Sequence, residues 1–182
     1  MLSSFSMINV MHKVYFSLGT NLGNREDMLN RAIMQINAKI GTVVCQSSFY
    51  DTAPWGFHSD NRFLNAAVCC LTVLSPHEVL HESQKIERLL GRTRKSTGGE
   101  YHDRPIDIDI LLYDDITVDT PELKIPHTLM RGRDCVILPL KGVCAELFVG
   151  YFMMLAIVAI MVAIDAVPLA SATTSVVVIF CP

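Results

Sequence analysis

Arg104-Pro105-Ile106-Asp107-Ile108-Asp109-Ile110 sets two carboxylates and a guanidinium on one short, otherwise apolar stretch. Alternation of branched aliphatics with aspartate predicts a strand, on which successive side chains leave by opposite faces. Ile106, Ile108, Ile110 and Leu112 then face a core, and Asp107 and Asp109 share the other face. Aspartate is disfavoured in strands, and like charges one pleat apart raise each other's pKa. A divalent cation offsets that cost most simply. Carboxylates in this spacing can reach one or both of two Mg²⁺ ions about 4 Å apart, and an oxygen-only ligand set favours Mg²⁺ over zinc. Arg104, just upstream, could grip phosphate oxygens bidentately. The alternative for so short a motif is a half-exposed strand with two solvated aspartates.

The elements around this strand predict a small α+β unit. Residues 13–18 form a first strand, and a turn at 19–24 ends on Asn24 as an N-cap. Met28, Leu29, Ala32, Ile33 and Ile36 recur at helical spacing, and Gly41 ends that helix. Residues 42–50 read as a second strand, 51–61 as a long loop, and 63–73 as a third, central strand. Ser75-Pro76-His77-Glu78 is a capping box opening a second helix, whose buried face is Val79, Leu80, Ser83, Ile86 and Leu90. Residues 92–103 form a second long loop with Arg92, Arg94, Lys95 and the pair Gly98-Gly99. It reads as a mobile lid over an anion, or as an ordinary solvated loop. Residues 107–113 are the fourth strand. The order β-α-β-β-α-β is the ferredoxin-like split motif, a four-stranded antiparallel sheet with helices on one face.

A chain of 182 residues is long enough for one domain with a proper core, here over residues 13–146. A formal net charge of −3 gives no electrostatic case for nucleic-acid binding. Six scattered cysteines without a C-x-x-C pair read as reduced thiols of a cytoplasmic protein, not as a disulfide or zinc framework. No signal peptide is expected, and residues 1–12 read as a disordered leader. Much of the 51% apolar content follows Lys141. Residues 147–164 carry no charge and are long enough to span a bilayer. Arg131, Arg133 and Lys141 precede that run and no cation follows, which would leave the preceding unit in the cytosol. Three readings of residues 147–182 stand open: a membrane anchor, a reading-frame artefact joined to a normal enzyme, and a buried helix and strand.

At this point the chain resembles a family, the 6-hydroxymethyl-7,8-dihydropterin pyrophosphokinases of folate biosynthesis. The resemblance lies in Ser17-Leu18-Gly19-Thr20-Asn21-Leu22-Gly23, in the run from Ser47 to Pro54, in Phe63-Leu64-Asn65-Ala66-Ala67-Val68, in Ile86-Glu87 with Gly91-Arg92, in Arg104 to Leu111, and in Ile125-Pro126-His127. It implies transfer of the β,γ-diphosphate of ATP to the pterin's hydroxymethyl oxygen, with release of AMP. It implies that Asp107 and Asp109 hold two Mg²⁺ ions and that Arg92 and Arg104 clamp phosphates. ATP would further meet Leu80, Gln84, Arg94, Ile110, His127 and Arg133, with Glu87 close to the site. The dihydropterin would meet Gly19, Thr52, Ala53, Phe63, Asn65 and Asp107, with Phe63 stacked on its ring. The partners so implied are two small molecules, with membrane contact only if residues 147–164 are an anchor. The class-level alternative is a non-catalytic ferredoxin-like module that keeps a nucleotide site and has a weakened pterin site.

Three positions depart from the family's pattern. Cys135 stands where a second stacking aromatic is usual, Tyr101 where the lid carries a tryptophan, and Ala53 where proline is common. Beyond Leu147 the pattern is lost. The first departure predicts a gap in the ring site that Cys135→Phe would fill, for about 1 kcal/mol of stacking.

Overall fold

The computed structural model describes residues 10–93, 102–128 and 130–143. The chain divides into two compact units, Met1–Ala145 and Glu146–Pro182, and every described residue lies in the first. The run at 147–164, most of the leader, Arg94 and Tyr101 lie outside the described residues. Among the described residues no helix is long and apolar enough to cross a membrane.

Strand β1 (His12–Thr20) leads through a turn into helix α1 (Arg25–Lys39). The Asn24 side chain accepts the Asp27 N–H at 3.2 Å, and Glu26 and Asp27 place negative charge in the first turn, where the helix dipole favours it. Leu29, Ala32, Ile33 and Ile36 are the buried stripe. Gly41 follows for want of space: a Cβ there would stand 2.1 Å from the Leu71 carbonyl oxygen. The long strand β4 (Phe63–Thr72) is central, as its apolar run predicts. Helix α2 (Pro76–Leu89) opens with the Ser75 N–H donating to the Glu78 carboxylate at 2.7 Å. Strand β5 (Asp107–Tyr113) closes the motif.

The sheet order is β2-β4-β1-β5 with all pairs antiparallel, where β2 is Thr42–Gln46. Each helical connection skips one strand: β4 lies between β1 and β2, and β1 between β4 and β5. This is the ferredoxin-like order the sequence predicts, with three differences. The segment expected as one strand over 42–50 is two, β2 and β3 (Tyr50–Thr52), both paired to β4. Between them Ser47 replaces the regular ladder: its N–H donates to the Ala67 carbonyl at 2.9 Å and its hydroxyl accepts the Ala67 N–H at 3.0 Å.

The second difference is in β5. Its alternation holds through Ile110 and then breaks at a bulge, where Tyr15 pairs with Leu112 and Phe16 with Ile110. Leu111 and Tyr113 are buried, and Leu112, expected in the core, is only half-buried.

The third difference is a helix absent from the sequence reading. A short hairpin of β6 (Val118–Asp119) and β7 (Lys124–Ile125) is followed by a 3₁₀ turn at Met130–Gly132 and helix α3 (Asp134–Val143). Pro139 lies inside α3 and argues against a helix when read locally. Helices α1 and α2 share one core with Val14, Phe16, Leu18, Ala66, Val68, Cys70, Ile108 and Ile110. Cys135 and Val136 of α3 line a cavity with Ser17, Gly19 and Asn65, which alternate with those core residues. Helices therefore cover both faces of the sheet, not one.

Candidate active site

The site grows from the sheet face opposite the main core. On it Gly19 of β1 pairs with Asp107 of β5 and Asn65 of β4, and Ser17 pairs with Asp109. Small residues at 17 and 19 keep the space beside the carboxylates clear. A Cβ on Gly19 would lie 3.1 Å from Asn65 Oδ1, so glycine here preserves the position of that amide.

Asp107 is clasped by two arginines. Arg92 Nη1 donates to Asp107 Oδ1, and Arg104 Nη2 reaches Asp107 Oδ2 at 2.8 Å. Arg92 also donates to Glu87 Oε1 at 2.5 Å. Glu87 is buried at the C-terminal end of α2, and the same oxygen accepts the Ile108 N–H at 2.8 Å. That bond joins α2 to the outer edge of β5, next to the aspartate pair. Burial first and then Asp107 push the Glu87 carboxyl above its ordinary range, while Arg92 pulls it back.

Asp109 differs from its neighbour. It accepts no hydrogen bond and forms no ion pair among the described residues. Burial, then Asp107, then Glu87 push it up to about 8, against the weaker pull of Arg104 and Arg92. A carboxylate so placed is suited to hold a cation. Among the described residues no three His, Cys, Asp or Glu side chains form a metal cage. Mg²⁺ does not need one: it binds through one or two carboxylates and completes its shell with water and substrate phosphates. Asp107 and Asp109 fit that requirement.

Arg104 Nε and His127 Nδ1, two buried nitrogens beside the aspartates, have no hydrogen-bond partner among the described residues. Burial and then the Arg133 charge hold His127 below its ordinary value, so the ring is neutral at pH 7. Its backbone N–H donates to the Leu111 carbonyl at 3.0 Å, which sets the residue beside β5.

A slit lies next to these charges, walled by Gly19, Thr52, Ala53, Trp55, Phe57, Phe63, Asn65, Arg104, Arg133 and Cys135 together with the aspartates. Asn65 Nδ2 donates to Thr52 Oγ1 at 2.9 Å, which leaves its Oδ1 as an acceptor toward the slit. Arg104 lies over the Phe63 ring at 5.2 Å, Phe57 meets Phe63 edge-on at 6.1 Å, and Arg133 lies over Trp55 at 4.0 Å. The slit measures ≈ 50 Å³, against about 300 Å³ or more for ordinary ligand pockets, so a flat ring enters by moving a wall. A second cavity of ≈ 880 Å³ adjoins it, shares Phe57 and Arg104, and reaches Arg92 and Asp103.

The structure thus brings together Arg92, Arg104, Asp107, Asp109, Gly19, Thr52, Ala53, Phe63, Asn65 and Arg133, with His127 adjacent. Leu80 and Gln84 lie two turns and one turn before Glu87 on α2, and Leu80 leans on the core. Neither lines the two cavities. The Ile110 side chain is in the main core, 3% exposed, so a ligand can meet that residue only at its backbone on the outer edge of β5. Sequence reasoning missed Trp55 and Phe57. The signal was two large aromatics inside a loop otherwise made of Pro, Gly and polar residues. Those rings change the expectation for Cys135: it lines a slit that already has three aromatic walls, not a gap.

Comparison with known proteins agrees with this geometry. The model of the 7,8-dihydro-6-hydroxymethylpterin-pyrophosphokinase (HPPK) family matches residues 15–145. A 2-amino-4-hydroxy-6-hydroxymethyldihydropteridine pyrophosphokinase of Porphyromonas gingivalis is 51% identical over 131 residues, covering 71% of this chain and 89% of the relative. The Bacillus subtilis enzyme of the same name is 38% identical over 133 residues, covering 72% and 78%. Among solved structures, a Plasmodium falciparum HPPK-DHPS triple mutant superposes with a TM-score of 0.60 at 18% identity, over 75% of this chain and 41% of that one, which speaks for the fold alone. The matched span holds every described site residue, and by it this chain belongs to the 7,8-dihydro-6-hydroxymethylpterin-pyrophosphokinase family.

Proposed function

We infer that the chain transfers the β,γ-diphosphate of ATP to the hydroxymethyl group of 6-hydroxymethyl-7,8-dihydropterin, giving AMP and the pterin diphosphate, in the cytoplasm. One observation carries the residue-level reading: an aspartate pair, of which Asp107 is clasped by two arginines, opens onto a slit walled by aromatic rings and a fixed amide. The ring slit takes the pterin. Phe63 lies along its face, and Asn65 and Thr52 hydrogen-bond its polar edge. The hydroxymethyl oxygen then points toward Asp107 and attacks the β-phosphorus, and the bond to the α-phosphate oxygen breaks.

Charge on the phosphate oxygens is met by this chain's arginines, with the neutral His127 ring as a further polar contact. Arg92 and Arg104 turn from Asp107 to phosphate, Arg104 Nε finds its acceptor there, and His127 and Arg133 reach oxygens from the far side. Mg²⁺ held by Asp107 and Asp109, two ions in all, supplies charge neutralisation and alignment. As Arg92 and Arg104 turn to phosphate, the carboxylate of Asp107 that they leave, with Asp109, would be free to hold the metal. Catalysis of this kind is alignment plus electrostatics, with no covalent step for the protein. Leu80, Gln84 and the Ile110 backbone flank the nucleotide's base side, and Arg94 adds a further phosphate contact.

Asp107→Asn and Asp109→Asn test the assignment. Each should fold, bind the pterin, and lose turnover by at least about 100-fold, with a weakened response to Mg²⁺. Near-normal rates with an unchanged Mg²⁺ dependence in both variants would remove the aspartates from the reaction.

A further inference from the structure

The described ends of the two long loops meet on one carboxylate. Asp103 Oδ1 accepts Asn21 Nδ2 at 2.6 Å, and Asp103 Oδ2 accepts Asn61 Nδ2 at 2.7 Å. The Ser59 hydroxyl donates to the same group. Asn21 is buried and clamps the neighbouring backbone as well: its Oδ1 accepts the Arg104 N–H at 2.9 Å, and its own N–H donates to the Arg104 carbonyl at 3.3 Å. Three segments that are distant in sequence, the β1–α1 turn, the 53–62 loop and the residues before β5, are therefore fastened at one point. The 53–62 loop has a second tie at its base, where Arg62 and Arg25 both donate to Asp51. Phe57, which lines both cavities, lies between the two ties, and Phe63, which lines the slit, directly follows Arg62.

Resting on the proposed function, we propose that Asp103 is a positioning residue that holds the 53–62 loop in register with Arg104 and so sets affinity for the ring substrate. The chemistry suits the task. The acceptors of Asp103 face only donors, and the Ser59, Asn61 and Asn21 bonds hold its carboxyl below the ordinary range, so the group is ionised at neutral pH. A loop already fixed on this carboxylate is ordered before the ring arrives, which removes an entropic cost from binding. Asp103 bonds to neither Asp107 nor Asp109 and lines the larger cavity with Ser59 and Asn61 but not the slit, so it acts on the slit only through the loop and strand end it ties. Its effect should fall on the ring substrate and spare the nucleotide.

Three variants of the full chain test this, each read by separate KM values for dihydropterin and ATP, by kcat, and by thermal melting. Asp103→Asn sets an NH₂ group against one of the two amide donors and should raise the dihydropterin KM about tenfold, with ATP KM and kcat within about twofold. Asn61→Ala, at an exposed loop position, removes one tie without touching the fold and should raise the same KM in the same direction. The reciprocal swap Asp103→Asn with Asn61→Asp restores matched donors and acceptors on both bonds and should return the KM to within about threefold of wild type. A lower melting temperature with unchanged dihydropterin KM, equal losses in ATP KM and kcat, a swap without rescue, or tighter ring binding would each overturn the proposal. A wild-type chain that makes no AMP with dihydropterin present would instead overturn the function on which it rests.

Discussion

Glu87 offers the sharpest separation of a structural from a functional contribution, because one oxygen makes two different bonds. Oε1 accepts the Ile108 N–H at 2.8 Å and Arg92 at 2.5 Å, in a side chain about 9% exposed. Glu87→Gln keeps an amide oxygen for Ile108 and removes the charge that holds Arg92. Glu87→Ala removes both. The alanine variant leaves a buried N–H without a partner, worth about 1–3 kcal/mol, and strips a nearly buried guanidinium of one of its two carboxylates. Breaking a buried pair outright costs about 3–5 kcal/mol, but Asp107 still holds Arg92, so the lower end applies. The sum for Glu87→Ala is therefore about 4–6 kcal/mol, against about 3 kcal/mol for Glu87→Gln, which keeps the Ile108 bond. Urea denaturation at pH 7 reads that difference. In turnover the two should agree: both leave Arg92 less well aimed, and AMP release should slow by about tenfold or more with little change in ATP KM. Equal stabilities, or a glutamine variant with wild-type turnover, would show that Glu87 does not aim Arg92 through the shared oxygen.

Three other outcomes are expected. Asp109→Asn should stabilise the metal-free protein more at pH 8 than at pH 5. The folded pKa of Asp109 is raised to about 8, so the unfolded chain loses this proton first and wild-type stability falls as pH climbs between the ordinary carboxylate value and 8; a pH-independent difference in melting temperature would refute this. Cys135→Phe should not tighten dihydropterin binding, because Trp55, Phe57 and Phe63 already wall a slit of ≈ 50 Å³. Trp55→Ala should weaken it by about tenfold, the scale of a lost aromatic contact, and titration calorimetry with an ATP analogue present distinguishes the two. A chain ending after Phe148 should keep full activity, since the family match ends at residue 145 and every assigned residue precedes it; an inactive but folded truncation would place residues beyond 148 in the working unit.

What the sequence made legible was local. The Asp107 and Asp109 pair declared itself through a period of two, and β5 opens on that pattern and runs past it to Tyr113. Asn24 and Ser75 announced their helices through residue types at fixed offsets. Helix α3 was hidden because Pro139 breaks the local rule while packing against the sheet overrides it. The Leu112 error has a similar source: a bulge shifts the period by one, and no residue type marks it. The Asp103 tie was invisible for a different reason. Its partners lie 82 and 42 residues away, and a lone aspartate in a polar loop carries no sign of which amides it will meet. Trp55 and Phe57 were visible as residues but not as walls, since their loop reads as turn chemistry until β3 and β4 fix its two ends.

The central claim concerns which phosphorus is attacked, and product identity reads it directly. Purified full-length chain, Mg²⁺, ATP and 6-hydroxymethyl-7,8-dihydropterin should give AMP and pterin diphosphate in equal amounts, resolved by ³¹P NMR, with no AMP when the dihydropterin is omitted. ADP with a pterin monophosphate, or AMP formed at the same rate without dihydropterin, would contradict the account.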